Sequence, residues 1–248
     1  MSSVPSRGDL YDWEQANVLG RSDQDLPFYL ELALATGGPV LELACGTGRL
    51  TAPLGRAGFP VVGLDLDTDM LTVARRRCAG LPVWFVRGDM RAFALGRRFP
   101  LVVVPYNGLQ LLLTPEDRHA CFTAIADALG PAGRVAFELH DFLTGVQTLD
   151  VPPEPLAQGS LGHATVTLHA GVTHDLGRRV TTYRRRFEIE RPGAPPHSVG
   201  HDIRLYSYAE GEVEALLRSV GLDGTAEPSG AAVRWVAGRI TDGHDQGG

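Results

Sequence analysis

No lysine occurs anywhere in the 248 residues; all 23 basic residues are arginine. That excludes a Schiff-base nucleophile, a P-loop phosphate lysine and the Tyr-Lys pair of short-chain dehydrogenases. Cysteine is scarce too. Cys45, Cys78 and Cys121 are widely separated and odd in number, which suits neither a disulfide framework nor a zinc knuckle. His197 and His201 stand four apart without an acid to complete a site, so no metal is expected. No run approaches the roughly 18 apolar residues that would span a membrane. Residues 1–7 lack the apolar stretch of a signal peptide, and the expected location is cytoplasmic. Excess positive charge is missing as well: a formal charge of −6 weighs against nonspecific nucleic-acid binding. The arginine clusters at 75–77, 97–98 and 184–186 read as solvated surface.

What is present is pattern. Val40, Leu41 and Leu43 suit a strand covered on both faces, and a tight turn follows at Gly46-Thr47-Gly48. Leu50, Pro53, Leu54 and Ala57 then suggest a short packed helix stopped by Gly58. Strands are expected at 60–65, 83–86, 99–106 and 134–140, with helices at 67–77 and from Pro115, capped by Thr114, to about 129. Five strands alternating with helices indicate βαβ units and a mostly parallel sheet with helices on both faces. Ahead of them, residues 1–9 read as a mobile leader and residues 10–38 as a helical lid interrupted by a polar loop at 17–25.

After about residue 150 the pattern changes. Residues 151–162, rich in proline and glycine, read as a loop, and three segments of period-two alternation follow at 164–172, 179–190 and 199–208. A helix at 210–220 and a closing pair of strands at 222–227 and 232–240 complete the chain, with 241–248 as a disordered tail. The expectation is one α/β domain over 1–240, with a cofactor-binding core at 39–150, an inserted antiparallel sheet at 158–208 and a closing unit at 209–240.

Asp65 follows Gly46 by 19 residues, at the end of the second strand. An acid there is placed to accept hydrogen bonds from two ribose hydroxyls. A nicotinamide dehydrogenase uses the same geometry, so the pair alone is ambiguous. Two details tilt the balance away from a dinucleotide. Thr51 stands where G-x-G-x-x-G has its third glycine, and an acid, Glu42, precedes the turn and suits a cationic ligand.

The run V-L-E-L-A-C-G-T-G-R-L-T, then V-V-G-L-D-L-D-T-D-M-L, then R-G-D-M-R, resembles class I S-adenosylmethionine-dependent methyltransferases over roughly residues 40–140. Ala44 occupies the first glycine position of that family's E/D-x-G-x-G-x-G motif. The resemblance implies a Rossmann-like seven-stranded mostly parallel sheet and S-adenosyl-L-methionine as cofactor, with S-adenosyl-L-homocysteine as product. It implies that Glu42, Ala44, Gly46 and Gly48 line the methionine and sulfonium portion and that Asp65 binds the ribose diol. Leu66 and Met70 would flank the adenine, Asp89 would accept from its amino group, and Met90 would pack on the ring. Tyr106 and Asn107 would lie near the transferred methyl. Residues 87–99 look like the matching segment of sugar-amine N,N-dimethyltransferases of antibiotic pathways, which carry antiparallel strands after the fifth strand as a substrate cover. In that group an N-terminal Tyr and Arg often touch the cofactor; Tyr11 and Arg21 are the candidates.

Methyl transfer from a sulfonium is a displacement, and the protein mainly needs to hold the acceptor, methyl carbon and sulfur in line. His140, after the fifth strand, is the candidate base, and Tyr106, Asn107 and Gln110 are placed to orient an acceptor. In the insertion, Tyr183, Arg204 and Tyr206 alternate with apolar neighbours and are candidates to face the pocket. The reading is methyl transfer to an N or O atom of a small metabolite, in bacterial specialised metabolism. The partner is a small-molecule acceptor, with no nucleic acid and no membrane, and a homodimer is left open. A noncatalytic protein of the same fold and a nicotinamide-dependent oxidoreductase stand as alternatives.

Overall fold

A computed structural model describes residues 4–20 and 23–240 of the chain. Arg21 and the stretch 241–248 therefore lie outside the described residues. Seven strands form the central sheet in the order β10-β11-β5-β4-β1-β2-β3. They are β1 (Val40–Leu43), β2 (Val61–Asp65), β3 (Val83–Arg87), β4 (Phe99–Val104), β5 (Leu129–His140), β10 (Leu222–Ser229) and β11 (Ala232–Arg239). The five from β1 to β5 run parallel, and β11 enters antiparallel between β5 and β10. Strand order reverses between β1 and β4, and ligands bind at such a switch point beyond the strands' carboxyl ends.

Helices cover both faces, as the alternation predicts. On one, α2 (Leu26–Thr36) and α3 (Thr51–Arg56) bury Tyr29, Ala33, Leu50 and Leu54 against Val40, Leu101, Val103 and Ala136. On the other, α5 (Pro115–Ala128) and α6 (Glu212–Ser219) bury Phe122, Ile125, Val213 and Leu217 against Leu41, Val102 and Phe137. Thr114 caps α5 by accepting from Asp117 N–H at 3.1 Å, with Pro115 at its first position. Asp67 caps α4 (Thr68–Arg77) through the amides of Asp69 and Met70.

Four strands make the second sheet, in the order β6-β7-β8-β9: β6 (Asp150–Leu161), β7 (Ala164–Asp175), β8 (Val180–Glu190) and β9 (His197–Tyr206). β6 corrects the sequence expectation, which read residues 151–162 as a loop because of Pro152, Pro153 and Pro155. An edge strand tolerates residues without an N–H, and β6 is an edge, with register shifts between Val151 and Glu154 and between Pro155 and Ala157. A second correction lies at the start. The expected leader is helical from Arg7, because Ser6 and Asp9 close a capping box ahead of α1 (Arg7–Asn17). Two strand bounds also move. β4 ends at Val104 rather than reaching Tyr106, and β5 begins at Leu129 rather than Arg134.

α1 packs where the two sheets meet. Leu10 and Trp13 join Ala164, Val166, Leu168, Phe187 and Ile189 in one core, with Trp13 edge-on to Phe187 at 6.4 Å. Among the described residues, no helix is long and apolar enough to cross a membrane.

Candidate active site

The turn after β1 is built from left-handed backbone. Ala44, Gly46 and Gly48 have φ of 52°, 54° and 80°. Gly48 is also a packing requirement, since a Cβ there would stand 3.3 Å from Ala74 Cβ in α4. Gly46 is the reverse case: a Cβ would meet nothing within 4 Å, so the main chain faces open space that a ligand can approach. The tight turn predicted for this stretch is therefore made for two reasons, one internal and one external.

Asp65 closes the turn from the next strand. Gly46 N–H donates to Asp65 Oδ2 at 2.7 Å and Asp67 N–H donates to Oδ1 at 2.9 Å. Burial raises the carboxyl above its usual value although both amides pull it down. Each oxygen keeps a lone pair beyond these bonds. Glu42 lies deeper, 1% exposed, and accepts from Thr51 Oγ at 2.5 Å. Burial pushes its carboxyl up to about 8 against that donation, so it carries a proton at neutral pH. Next to the turn, Arg49 forks onto both oxygens of buried Asp25 at 2.7 and 2.5 Å, its guanidinium 5.9 Å from the Tyr106 ring centre.

The other residues expected around the cofactor are placed unequally. Leu66 is 59% exposed and Met70 is half-buried at the start of α4. Met90 packs against the core beneath. Asp89 is already engaged: Arg91 Nη2 donates to it at 2.6 Å and Arg91 Nε bridges both oxygens at 3.0 Å. Those bonds hold its carboxyl below the ordinary value, and Arg91 also reaches Asp117 at 2.7 Å. Tyr11, on α1, is half-buried near Tyr106 and Arg49; burial pushes its phenol well up, and Arg49 pulls the other way.

Of two arginine clusters expected at the surface, Arg75, Arg76 and Arg186 are exposed, but Arg77 and Arg185 are drawn into contact with α1. Arg77 donates to Asp12 at 2.6 Å and to Thr47 Oγ at 3.0 Å, while Thr47 Oγ donates to Asp12 at 2.7 Å. Arg76 pairs with Asp9 at 2.5 Å. From the insertion, Arg185 Nε donates to Glu14 at 2.6 Å, with only 11% and 3% of the two side chains exposed. A strand alternation gives no sign of such a pairing, because the partners are 171 residues apart.

Beyond the ends of β4 and β5 the site becomes aromatic. Tyr106 takes a left-handed φ of 58° as β4 leaves the sheet, which sets its ring 5.8 Å from His140, edge-on. His140 stacks on Phe142 at 5.9 Å, and Phe142 meets Tyr183 of β8 edge-on at 6.0 Å. Burial lowers the His140 imidazole below its ordinary 6.5, so it is neutral at pH 7. Among the described residues, His140 Nδ1 and Asn107 Oδ1 are buried without a hydrogen-bond partner. Phe142 escaped the sequence reading, although it follows His140 by two positions at the same strand end.

Three expectations are corrected here. Gln110 does not face an acceptor, being fully buried with its amide spent on main-chain groups. Tyr206 turns away toward Glu212, to which its hydroxyl donates at 3.0 Å, under the Arg118 guanidinium. Arg204 is exposed and pairs across from Thr182, on the opposite face of the sheet from Tyr183. Only Tyr183 of the three insertion candidates joins the aromatic cluster.

An approachable main-chain turn, a carboxylate with free lone pairs at the next strand end and an ionisable carboxyl beneath the turn fit a ligand with a ribose and a cationic end. The comparisons with known proteins agree. Residues 40–133 match the family described as "Methyltransferase domain". The dTDP-3-amino-3,4,6-trideoxy-alpha-D-glucopyranose N,N-dimethyltransferase of Streptomyces venezuelae is 31% identical over 191 residues, 74% of this chain and 74% of that protein. A Bacillus subtilis (strain 168) protein, itself only provisionally named a methyltransferase, is 33% identical over 45% of this chain and 46% of its own length, so this chain aligns with less than half of that relative. Among solved structures, DesVI of Streptomyces venezuelae superposes with a TM-score of 0.78 at 25% identity, over 96% of this chain and 100% of that one. The glycopeptide N-methyltransferase MtfA, solved in complex with (S)-adenosyl-L-homocysteine, superposes with a TM-score of 0.56 at 27% identity, over 87% of both chains. These relatives remove the nicotinamide alternative that the glycine turn left open: the chain belongs to the S-adenosylmethionine-dependent methyltransferases.

Proposed function

We propose that this protein transfers methyl groups to the amino nitrogen of a small metabolite, an amino sugar carried on a nucleoside diphosphate, in the cytoplasm and without a nucleic-acid partner. The observation that carries the reading is the aromatic cluster of Tyr106, His140, Phe142 and Tyr183 around a neutral imidazole. The names of the Streptomyces relatives, N,N-dimethyltransferases of dTDP-amino sugars, support the same acceptor class.

When bound, the cofactor supplies a methyl carbon made electrophilic by a cationic sulfur. Asp65 would hold the ribose of the adenosine end, while the main chain of the glycine turn, with Glu42 beneath it, would line the cationic methionine end. An amine attacks only with its lone pair free, so it must be uncharged when it reaches the methyl carbon. As the N–C bond forms and the C–S bond breaks, the nitrogen becomes positive and sheds a proton, which neutral His140 accepts. The rings of Tyr106, Phe142 and Tyr183 would favour the cation that develops, by cation–π attraction of about 0.5–2 kcal/mol. Asn107 Oδ1, buried and unpartnered, accepts an N–H of the incoming amine and aims its lone pair.

The test is incubation with S-adenosylmethionine and dTDP-3-amino-3,6-dideoxy-alpha-D-glucopyranose, read by mass spectrometry. Stepwise gain of methyl groups on the sugar nitrogen is expected. Protein that binds S-adenosylhomocysteine yet methylates no amino-sugar nucleotide would overturn the acceptor assignment.

A further inference from the structure

Gln110 stands in a 3-10 turn at Gly108–Leu111, three residues after Asn107, and is wholly buried. Its Oε1 accepts from His140 N–H at 2.9 Å, and its Nε2 donates to His140 C=O at 2.8 Å and to Tyr206 C=O at 2.9 Å. The orientation of the amide is fixed by these partners. Flipped, it would set an NH₂ against an N–H and an oxygen against two carbonyls.

The place of these bonds matters more than their number. β4 leaves the sheet at Val104, opposite Phe137, so the last residues of β5 lose their parallel neighbour just before His140. Gln110 grips both main-chain groups of His140 there, doing what a longer β4 would have done. Its second donation reaches the final residue of β9, the last strand of the inserted sheet. One side-chain amide thus joins the turn carrying Tyr106 and Asn107, the strand end carrying His140, and the sheet carrying Tyr183.

We propose that Gln110 is a positioning residue that fixes His140 and the inserted sheet at one spacing and thereby shapes the acceptor side of the site. The proposal rests on the acceptor side lying in the aromatic cluster, and it is independent of which amine is methylated. The fold has other fasteners at the same junction. Tyr208 Oη donates to Leu109 C=O at 3.3 Å, and Arg118 pairs with Glu212 at 3.0 Å. A Gln110 variant is therefore expected to fold.

The experiment uses the full-length protein and the variants Gln110→Leu and Gln110→Glu. The His140 ring is followed by proton NMR against pH, its resonance identified by its loss in His140→Gln, and S-adenosylhomocysteine affinity is measured by calorimetry. In Gln110→Leu, which makes none of the three bonds, His140 is expected to loosen from its buried setting and titrate closer to the ordinary value of about 6.5. S-adenosylhomocysteine affinity should stay within threefold. Gln110→Glu keeps the acceptor and, protonated as its burial requires, donates to only one of the two carbonyls, and should fall between wild type and Gln110→Leu. If the dTDP-amino sugar is a substrate, its KM should rise at least tenfold in Gln110→Leu while the KM for S-adenosylmethionine moves less than twofold. A His140 titration unchanged in Gln110→Leu would overturn the proposal, as would a loss of homocysteine-cofactor affinity as large as the loss of acceptor turnover. Failure of wild type to methylate the sugar would count against the acceptor class alone, because the titration needs no acceptor.

Discussion

The glycine turn and the aromatic cluster differ in what holds them. The turn is fixed by main-chain conformation and by amides: Gly46 and Asp67 N–H on Asp65, with Thr51 on Glu42 just behind. Those bonds come from β1, β2 and the residues that follow them, and Asp12 of α1 adds one from outside through Thr47. The cluster is fixed by rings from the ends of β4 and β5 and from β8, and by the buried pair of Arg185 and Glu14. A turn made from backbone keeps its geometry through many side-chain exchanges, whereas a cluster made from side chains can be reshaped one residue at a time.

The sharpest way to break this contrast is at Arg185. Replacing it with alanine strands Glu14 as a buried charge and should cost about 3 kcal/mol of stability. Thermal unfolding checks it, and the loss should be far smaller for an exposed arginine such as Arg178. His140→Ala separates the two regions by function. Turnover should fall on the order of 100-fold, as expected for a lost proton acceptor, while S-adenosylhomocysteine titration stays within about twofold. In wild type, kcat/KM should fall as pH drops through the His140 pKa, which lies below 6.5 because burial disfavours the charged ring. Asp65→Ala acts on the other region. It should weaken S-adenosylhomocysteine binding at least about tenfold, ~1.4 kcal/mol, by removing the ribose acceptor and freeing the Gly46 amide.

Glu42 offers a smaller, signed effect. Its carboxyl ionises at 4.5 when unfolded and at about 8 when folded. The unfolded chain therefore sheds the proton first. The folded protein loses stability as pH rises through that window, by up to about 1.4 kcal/mol per pH unit, and the loss levels off above it. On the proposed cofactor placement, a cationic methionine end brought near Glu42 would drive the proton off. Cofactor binding at pH 7 should thus release protons, visible as binding heats that vary with the buffer's ionisation enthalpy and absent in Glu42→Gln. The smallest effect is expected at Arg91. Arg91→Ala frees Asp89 from an exposed pair, and should raise S-adenosylhomocysteine affinity by no more than about twofold.

Much of the turn was legible in sequence because its determinants are local. Residue types at fixed spacing, Gly46, Gly48 and Asp65, carry their own conformational and chemical meaning. β6 was misread because three prolines signal a loop unless the strand is known to be an edge, and edge status depends on the whole sheet. Arg185, Arg77 and Arg76 looked like surface charge because their acidic partners sit on α1, far away in the chain. Gln110 was visible as a polar residue near the site, but only tertiary structure shows that main-chain groups consume its amide. The engagement of Asp89 by Arg91 is the exception: it lies two residues away and is local enough to be suspected from sequence.

α1 gives the two regions a common support. Asp12 fastens it to Thr47 and Arg77 at the glycine turn, and Glu14, two residues on, fastens it to the inserted sheet. A cofactor at the turn and an acceptor at the cluster, as proposed above, would both bear on this one helix. If a bound acceptor strengthens cofactor binding by some factor through α1, bound cofactor must strengthen acceptor binding by that same factor, because binding linkage is reciprocal. An ordered sequence of binding, if kinetics reveal one, would then need no contact between the two ligands.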